Sequence, residues 1–190
     1  VIGAYAQTEL GHGSDVQSLE TEAVFDEKTK QFVINSPTVS SMKWWPGELA
    51  NIANIAIVYA KTIIKGRKIG VLPFIVQIRD FETHKPMPGV EVGDIGPKMG
   101  YSAKENGYLR LDHVRVPVTA IPSRFMEVTA AGDVVQKGNP KIIYTAMMKS
   151  RTALLGAAAI SLGKAVAIAT RYSFLRKQFK NDKKEEVPVI

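Results

Sequence analysis

Two glycines, two hydroxyl residues, a histidine and two carboxylates fall within nine consecutive positions, Gln7-Thr8-Glu9-Leu10-Gly11-His12-Gly13-Ser14-Asp15, directly after the apolar run 1–6. Small residues at the end of a strand leave backbone N–H groups free, with little bulk in front of them. A flat or anionic ligand can then approach the main chain closely. The chemistry open to this stretch is binding rather than bond breaking. His12 and Ser14 lie two residues apart in one loop, which is not the geometry of a nucleophile and its base. His12 has no second histidine or carboxylate at metal-ligand spacing, since the remaining histidines are His84 and His113, so it reads as a loop or core histidine. Taken alone, a short Gly/Ser loop is most often a turn.

A second stretch, Lys43-Trp44-Trp45-Pro46-Gly47, holds both tryptophans of the chain between a lysine and a Pro-Gly pair. It could plug the end of a barrel. It could equally offer aromatic surface and backbone N–H groups to a planar ring system such as a flavin. A third, Pro97-Lys98-Met99-Gly100 followed by Asp112-His113-Val114-Arg115-Val116-Pro117, is explained by a strand and its exit loop.

The elements that would position these residues change character along the chain. The first 125 or so residues read as β-structure. Alternating runs at 20–25 and 31–35 flank a charged turn, 26–30, and predict a hairpin. The β-branched run 55–60 precedes a turn at Lys65-Gly66-Arg67. The run 70–78 carries Pro73, which points to a sheet edge or a bulge. Period-two alternation over 108–114 predicts one further strand. Short strands without intervening helices suggest an antiparallel barrel or sandwich.

Asn139-Pro140 then supplies an N-cap and a first-turn proline. A helix is expected from Lys141 to about Lys180, followed by a charged linker at 182–186. Residues 152–170 are interrupted by a single charge, Lys164. Their length would permit a membrane span, but Lys164 with Gly156, Ala157, Ala158, Ser161 and Gly163 favours a helix buried in a bundle. A helix apolar all round needs partners on every side, and the chain has no elements left to supply them. With no initiator methionine and an opening in mid-strand, an excised segment of a longer protein is expected.

The chain has 190 residues, a net charge of +7 and no cysteine, which removes disulfides and cysteine-based metal sites or nucleophiles. The charge is uneven. Residues 1–136 carry 14 basic against 15 acidic side chains, and 137–190 carry 11 against 3, or +8. A basic third could meet nucleic acid, an anionic surface or a phosphate-bearing cofactor.

The stretches together resemble the acyl-CoA oxidase branch of the acyl-CoA dehydrogenase superfamily. The resemblance runs through the loop 8–14, Ser36-Pro37-Thr38, 43–47, His84-Lys85-Pro86-Met87-Pro88-Gly89, 92–100, 112–117 and 171–178. Dehydrogenases typically carry proline and alanine where this chain has Leu10 and His12. The resemblance implies an α+β fold: a middle β-barrel domain over 1–136, then the first long helix of a C-terminal α-helical domain over 137–190. It implies FAD as cofactor, with Thr8, Trp45 and Gly47 at the flavin. Arg176 and Gln178 would reach the pyrophosphate end of a neighbouring subunit's FAD, in a homodimer with a shared site; a guanidinium suits that role because its fork binds phosphate oxygens in pairs. Ser14 and Arg151 would meet the acyl-CoA, although the aspartate that many dehydrogenases place three residues before Arg151 is Met148 here.

The implied activity is oxidation of fatty acyl-CoA to trans-2-enoyl-CoA with O2 reduced to hydrogen peroxide, in the peroxisome, with neither nucleic acid nor membrane as partner. No catalytic residue is assigned in this chain: the family's glutamate base is expected beyond Ile190, and the isolated 190 residues are expected to be inactive. The alternatives are an acyl-CoA dehydrogenase that passes electrons to an electron-transfer flavoprotein and, more distantly, a non-catalytic basic domain that binds nucleic acid.

Overall fold

A computed structural model describes residues 1–124, 126–139 and 142–189. The chain divides into two compact units, Val1–Asn139 and Pro140–Ile190.

The first unit is built on a six-stranded sheet. Strands β2 (Glu22–Asp26) and β3 (Gln31–Asn35) form the expected hairpin. The Asp26 carboxylate accepts the Lys28 N–H at 3.0 Å and closes its turn. Next along the chain, β4 (Lys43–Gly47) belongs to a second sheet. Strands β5 (Ile55–Ile64) and β6 (Arg67–Gln77) are joined by Lys65 and Gly66, both at positive φ, the backbone a two-residue hairpin turn requires. Pro73 lies opposite Tyr59 on β6, which among the described residues pairs with β5 alone. The proline therefore sits on an edge strand, where its missing N–H costs no ladder bond. Strand β1 (Gly3–Ala6) and β2 both run parallel to β5. Pairing is thus mixed rather than antiparallel throughout, and the long excursions between these strands are what a parallel pair needs.

The second sheet has three strands, β7 (Val90–Asp94) and β8 (Asn106–Leu111) joining β4 in the order β4-β8-β7. The continuous strand expected over 108–114 breaks at Asp112-His113, where His113 takes φ 51° and the Asp112 N–H donates to the Gly89 carbonyl at 2.8 Å. The chain there leaves one sheet for the other, as β9 (Val114–Pro117) pairs with β3. Phe25, Phe32 and Phe74 pack with ring centroids 5.4 and 5.1 Å apart. Ile34, Val58, Val76, Leu109 and Leu111 are buried with them. Each fully buried side chain of this size contributes about 1.5–3 kcal/mol. A small hairpin of β10 (Met126–Val128) and β11 (Val134–Gln136) completes the unit.

The second unit is the helix α1 (Ile142–Leu175) followed by a hairpin of β12 (Lys177–Lys180) and β13 (Glu186–Pro188). Pro140 and Lys141, expected in the first helical turn, lie outside the described residues. The helix stops at Leu175, short of the expected Lys180, and the expected linker at 182–186 is turn and strand. In the turn between β12 and β13 the Asn181 side-chain oxygen accepts the N–H groups of Lys183 and Glu185 at 3.0 Å each and so captures the turn. The Val189 N–H then returns to the carbonyls of Ser173 and Arg176 at the helix end, at 3.2 and 3.0 Å. Met148–Leu175 is long and apolar enough to cross a membrane, and Leu154, Leu155, Ile160, Leu162 and Ile168 are all more than 60% exposed.

Candidate functional site

The glycine-rich loop and the Trp-Trp strand, far apart in sequence, lie side by side. The Thr8 carbonyl accepts the Trp44 N–H at 3.0 Å, the Leu10 N–H donates to the Met42 carbonyl at 2.9 Å, and the Gly11 N–H donates to the Ser40 carbonyl at 2.9 Å. Glu9 and Lys43 pair as an antiparallel bridge between them. Residues 8–11 therefore run antiparallel beside 40–44, joined by one bridge and its flanking hydrogen bonds. A Cβ on Gly11 would stand 2.9 Å from the Ser40 Cβ, so glycine lets the two segments close.

Strand β4 is irregular. Its pairing with β8 shifts between Trp44 and Gly47, so Trp45 and Pro46 bulge out of the ladder. Trp45 takes φ 82° and Glu48 φ 64°, left-handed conformations costly for bulky side chains. The Asn106 side-chain amide donates to the Trp45 carbonyl at 2.8 Å and holds the bulge. The tandem tryptophans are thereby separated. Trp44 stacks on Tyr108 with centroids 6.0 Å apart, and Trp45 is turned outward and 51% exposed. A bulge commonly re-aims a side chain in this way.

Behind the strand, Arg79 is buried and its guanidinium donates to the carbonyls of Leu49 (3.1 Å), Ala53 (2.8 Å) and Ala50. It fixes the turn that leaves Gly47. A Cβ on Gly107 would meet the Ala50 nitrogen at 2.5 Å, so that turn packs directly on β8. Beside Gly47 the Lys104 ammonium pairs with Glu48. A hollow of about 610 Å³ opens there, lined among others by Asn51, Lys98, Ser102, Lys104 and Glu105.

Of the residues singled out in the sequence, Thr8, Trp45 and Gly47 are brought together on the 8–11 segment and β4. Ser14 lies further along the same loop, exposed. His12 Nε2 is 3.1 Å from the Glu20 carboxylate. The Thr38 and Ser40 hydroxyls, and then His12, hold that carboxyl down to about 2. Among the described residues no cluster of His, Cys, Asp or Glu could hold a metal ion. In the second unit, Arg151 is exposed on α1, Arg176 follows its last turn and Gln178 is exposed on β12. Asn106, Arg79 and the Glu9–Lys43 pair were not singled out in the sequence. Only the adjacency of Glu9 to Thr8 and of Lys43 to Trp44 could have flagged that pair.

Residues 4–114 match the acyl-CoA dehydrogenase middle domain, and 144–190 match the acyl-CoA oxidase C-alpha1 domain. The chain belongs to the acyl-CoA dehydrogenase family through its middle domain. It is 47% identical over 190 residues to peroxisomal acyl-coenzyme A oxidase 1 of Mus musculus, covering all of this chain and 29% of that protein. To the Arabidopsis thaliana enzyme of that name it is 49% identical over 183 residues, covering 94% and 28%. The solved structure of Arabidopsis thaliana acyl-CoA oxidase 1 superposes with a TM-score of 0.93 at 45% identity, over all of this chain and 30% of that one. Caenorhabditis elegans acyl-CoA oxidase-2, solved bound with FAD, ascaroside-CoA and ATP, gives a TM-score of 0.91 at 47% identity, over all of this chain and 29% of that one. The chain thus spans under a third of the length of these relatives.

Proposed function

We propose that this chain is the flavin-holding portion of an FAD-dependent acyl-CoA oxidase, which converts fatty acyl-CoA to trans-2-enoyl-CoA and reduces O2 to H2O2 in peroxisomal β-oxidation. The observation that carries this reading is the Thr8 carbonyl bonded to the Trp44 N–H at 3.0 Å, which sets the Thr8 loop beside an outward-turned Trp45. The residues present fit a planar, hydrogen-bonding cofactor. Trp45 offers an exposed aromatic face. The buried Asn106 Oδ1 has no hydrogen-bond partner among the described residues, an acceptor left open next to the bulge.

A bound flavin would supply the hydride-accepting chemistry for oxidation at the substrate β-carbon and for passing the electrons on to O2. The chain's own residues bind and orient. Thr8 holds the ring through backbone or hydroxyl, Gly47 presents its backbone, and their dipoles stabilise charge that builds on the ring. Ser14 and Arg151 meet the acyl-CoA. Arg176 and Gln178 contact the FAD pyrophosphate of a partner in a homodimer.

Proton abstraction from the α-carbon is assigned to no carboxylate of this chain. Glu9 is 2% exposed and engaged by four hydrogen bonds, so it cannot reach a substrate. The visible spectrum of the full-length protein, with and without a long-chain acyl-CoA under air, tests the reading. A flavin band that bleaches on acyl-CoA addition and recovers with peroxide release is expected. Bleaching that recovers only with an electron-transfer flavoprotein would replace the oxidase by a dehydrogenase.

A further inference from the structure

Glu9 and Lys43 form an ion pair with neither side chain exposed, Nζ to Oε1 2.9 Å. The ammonium also donates to the Tyr59 carbonyl at 2.6 Å and the Gln7 carbonyl at 3.3 Å, which uses all three of its hydrogens. The carboxylate accepts in addition the Thr21 hydroxyl at 2.6 Å, the Thr21 N–H at 3.0 Å and the Glu20 N–H at 2.7 Å. Solvent reaches neither side chain.

A buried ion pair is a poor device for stability alone, because desolvation offsets its attraction and apolar replacements often do as well. The best-attested use of such a pair is to fix register. This one sits at the bridge between the two ligand-facing segments, one residue from Thr8 and two from Trp45. Through Tyr59 it is tied to β5 of the main sheet. A slip of one residue at this bridge would break the Thr8–Trp44 hydrogen bond and turn the 8–11 segment over relative to β4. A site that meets one rigid ring with two segments tolerates only about 0.5 Å of misplacement.

We propose that Glu9 and Lys43 are positioning residues that lock the Thr8 loop and the bulged β4 strand in the one register in which both meet the same flavin. This rests on the flavin reading above. The pair touches no ligand itself and acts through Thr8 and Trp45.

The test uses the full-length protein and two variants. The double variant Glu9→Gln/Lys43→Met removes both charges at similar volume. Thr21→Val deletes one hydrogen bond to Glu9 and keeps the shape of the side chain. Flavin Kd, the shape of the visible flavin band, and the gain in Tm on adding FAD to apoprotein are measured. Native-like circular dichroism is expected for both, with Kd raised about tenfold or more in the double variant and about threefold in Thr21→Val, and a smaller Tm gain in each. A purely structural role would lower the Tm of apo and holo forms equally and leave Kd and band shape unchanged, which overturns the proposal. If the double variant does not fold, Thr21→Val decides alone. An unmodified full-length protein that takes up no flavin overturns the underlying reading, and this proposal with it.

Discussion

The two units handle apolar surface in opposite ways. In Val1–Asn139 the sheets close on each other, with Phe32, Ile34, Phe74 and Val76 fully buried and even a lysine and a glutamate sealed inside. In the second unit the helix Ile142–Leu175 shows leucine, isoleucine and valine exposed around its circumference. A sheet has an inner and an outer face, so period-two alternation is enough to fill one core. A helix apolar on every side satisfies none of its surface by itself. The first unit therefore carries its stability in its own sequence, whereas the helix is written for neighbours.

Four experiments break or sharpen that contrast. Phe32→Ala in the first unit is expected to cost about 3–5 kcal/mol in urea unfolding, while Leu162→Ala on the helix changes the same chain by less than about 0.5 kcal/mol. Equal losses would erase the distinction. Asn106→Ala releases the Trp45 carbonyl and leaves the strained bulge unheld, for an expected loss of about 1–3 kcal/mol and a shift in tryptophan emission.

The third experiment reads pH. Burial, against the opposing pull of Glu9, lowers the Lys43 ammonium from 10.5 to about 8. Between those values the unfolded chain holds the proton that the folded one has lost, so stability rises with pH across this window and levels above it. Lys43→Met is expected to remove that rise in equilibrium unfolding measured from pH 7 to 11. The smallest effect belongs to Gly47→Ala. The new Cβ meets only the flexible end of Lys104, at 2.9 Å, and a stability change below about 0.5 kcal/mol is expected.

Strand alternation and turn chemistry made much of the first unit legible in the sequence: the hairpin over 20–35, the turn at 65–67 and, of the edge and bulge readings of Pro73, the edge. The long helix of the second unit was legible from its composition. The parallel pairing of β1 and β2 with β5 was not, because alternation reports which face is buried and says nothing of strand direction. The break at His113 escaped for a related reason, since side chains keep alternating while the strand changes sheets. The helix end was misjudged because composition stays helix-friendly past Leu175, whereas the β12–β13 hairpin returns Val189 to the carbonyls of Ser173 and Arg176, a contact composition does not show. Within the site, Thr8 and Trp45 were legible as unusual residues, but their adjacency is a tertiary fact. Lys43 and Glu9 were hidden by type, as charged residues are normally placed at the surface.

The division of labour between the tandem tryptophans has an optical consequence. Trp44, stacked on Tyr108, is a constant background. On the flavin reading proposed above, Trp45, half exposed at the bulge, is the indole whose emission would change on flavin binding, so a single substitution, Trp44→Phe, would leave a label-free reporter of that event.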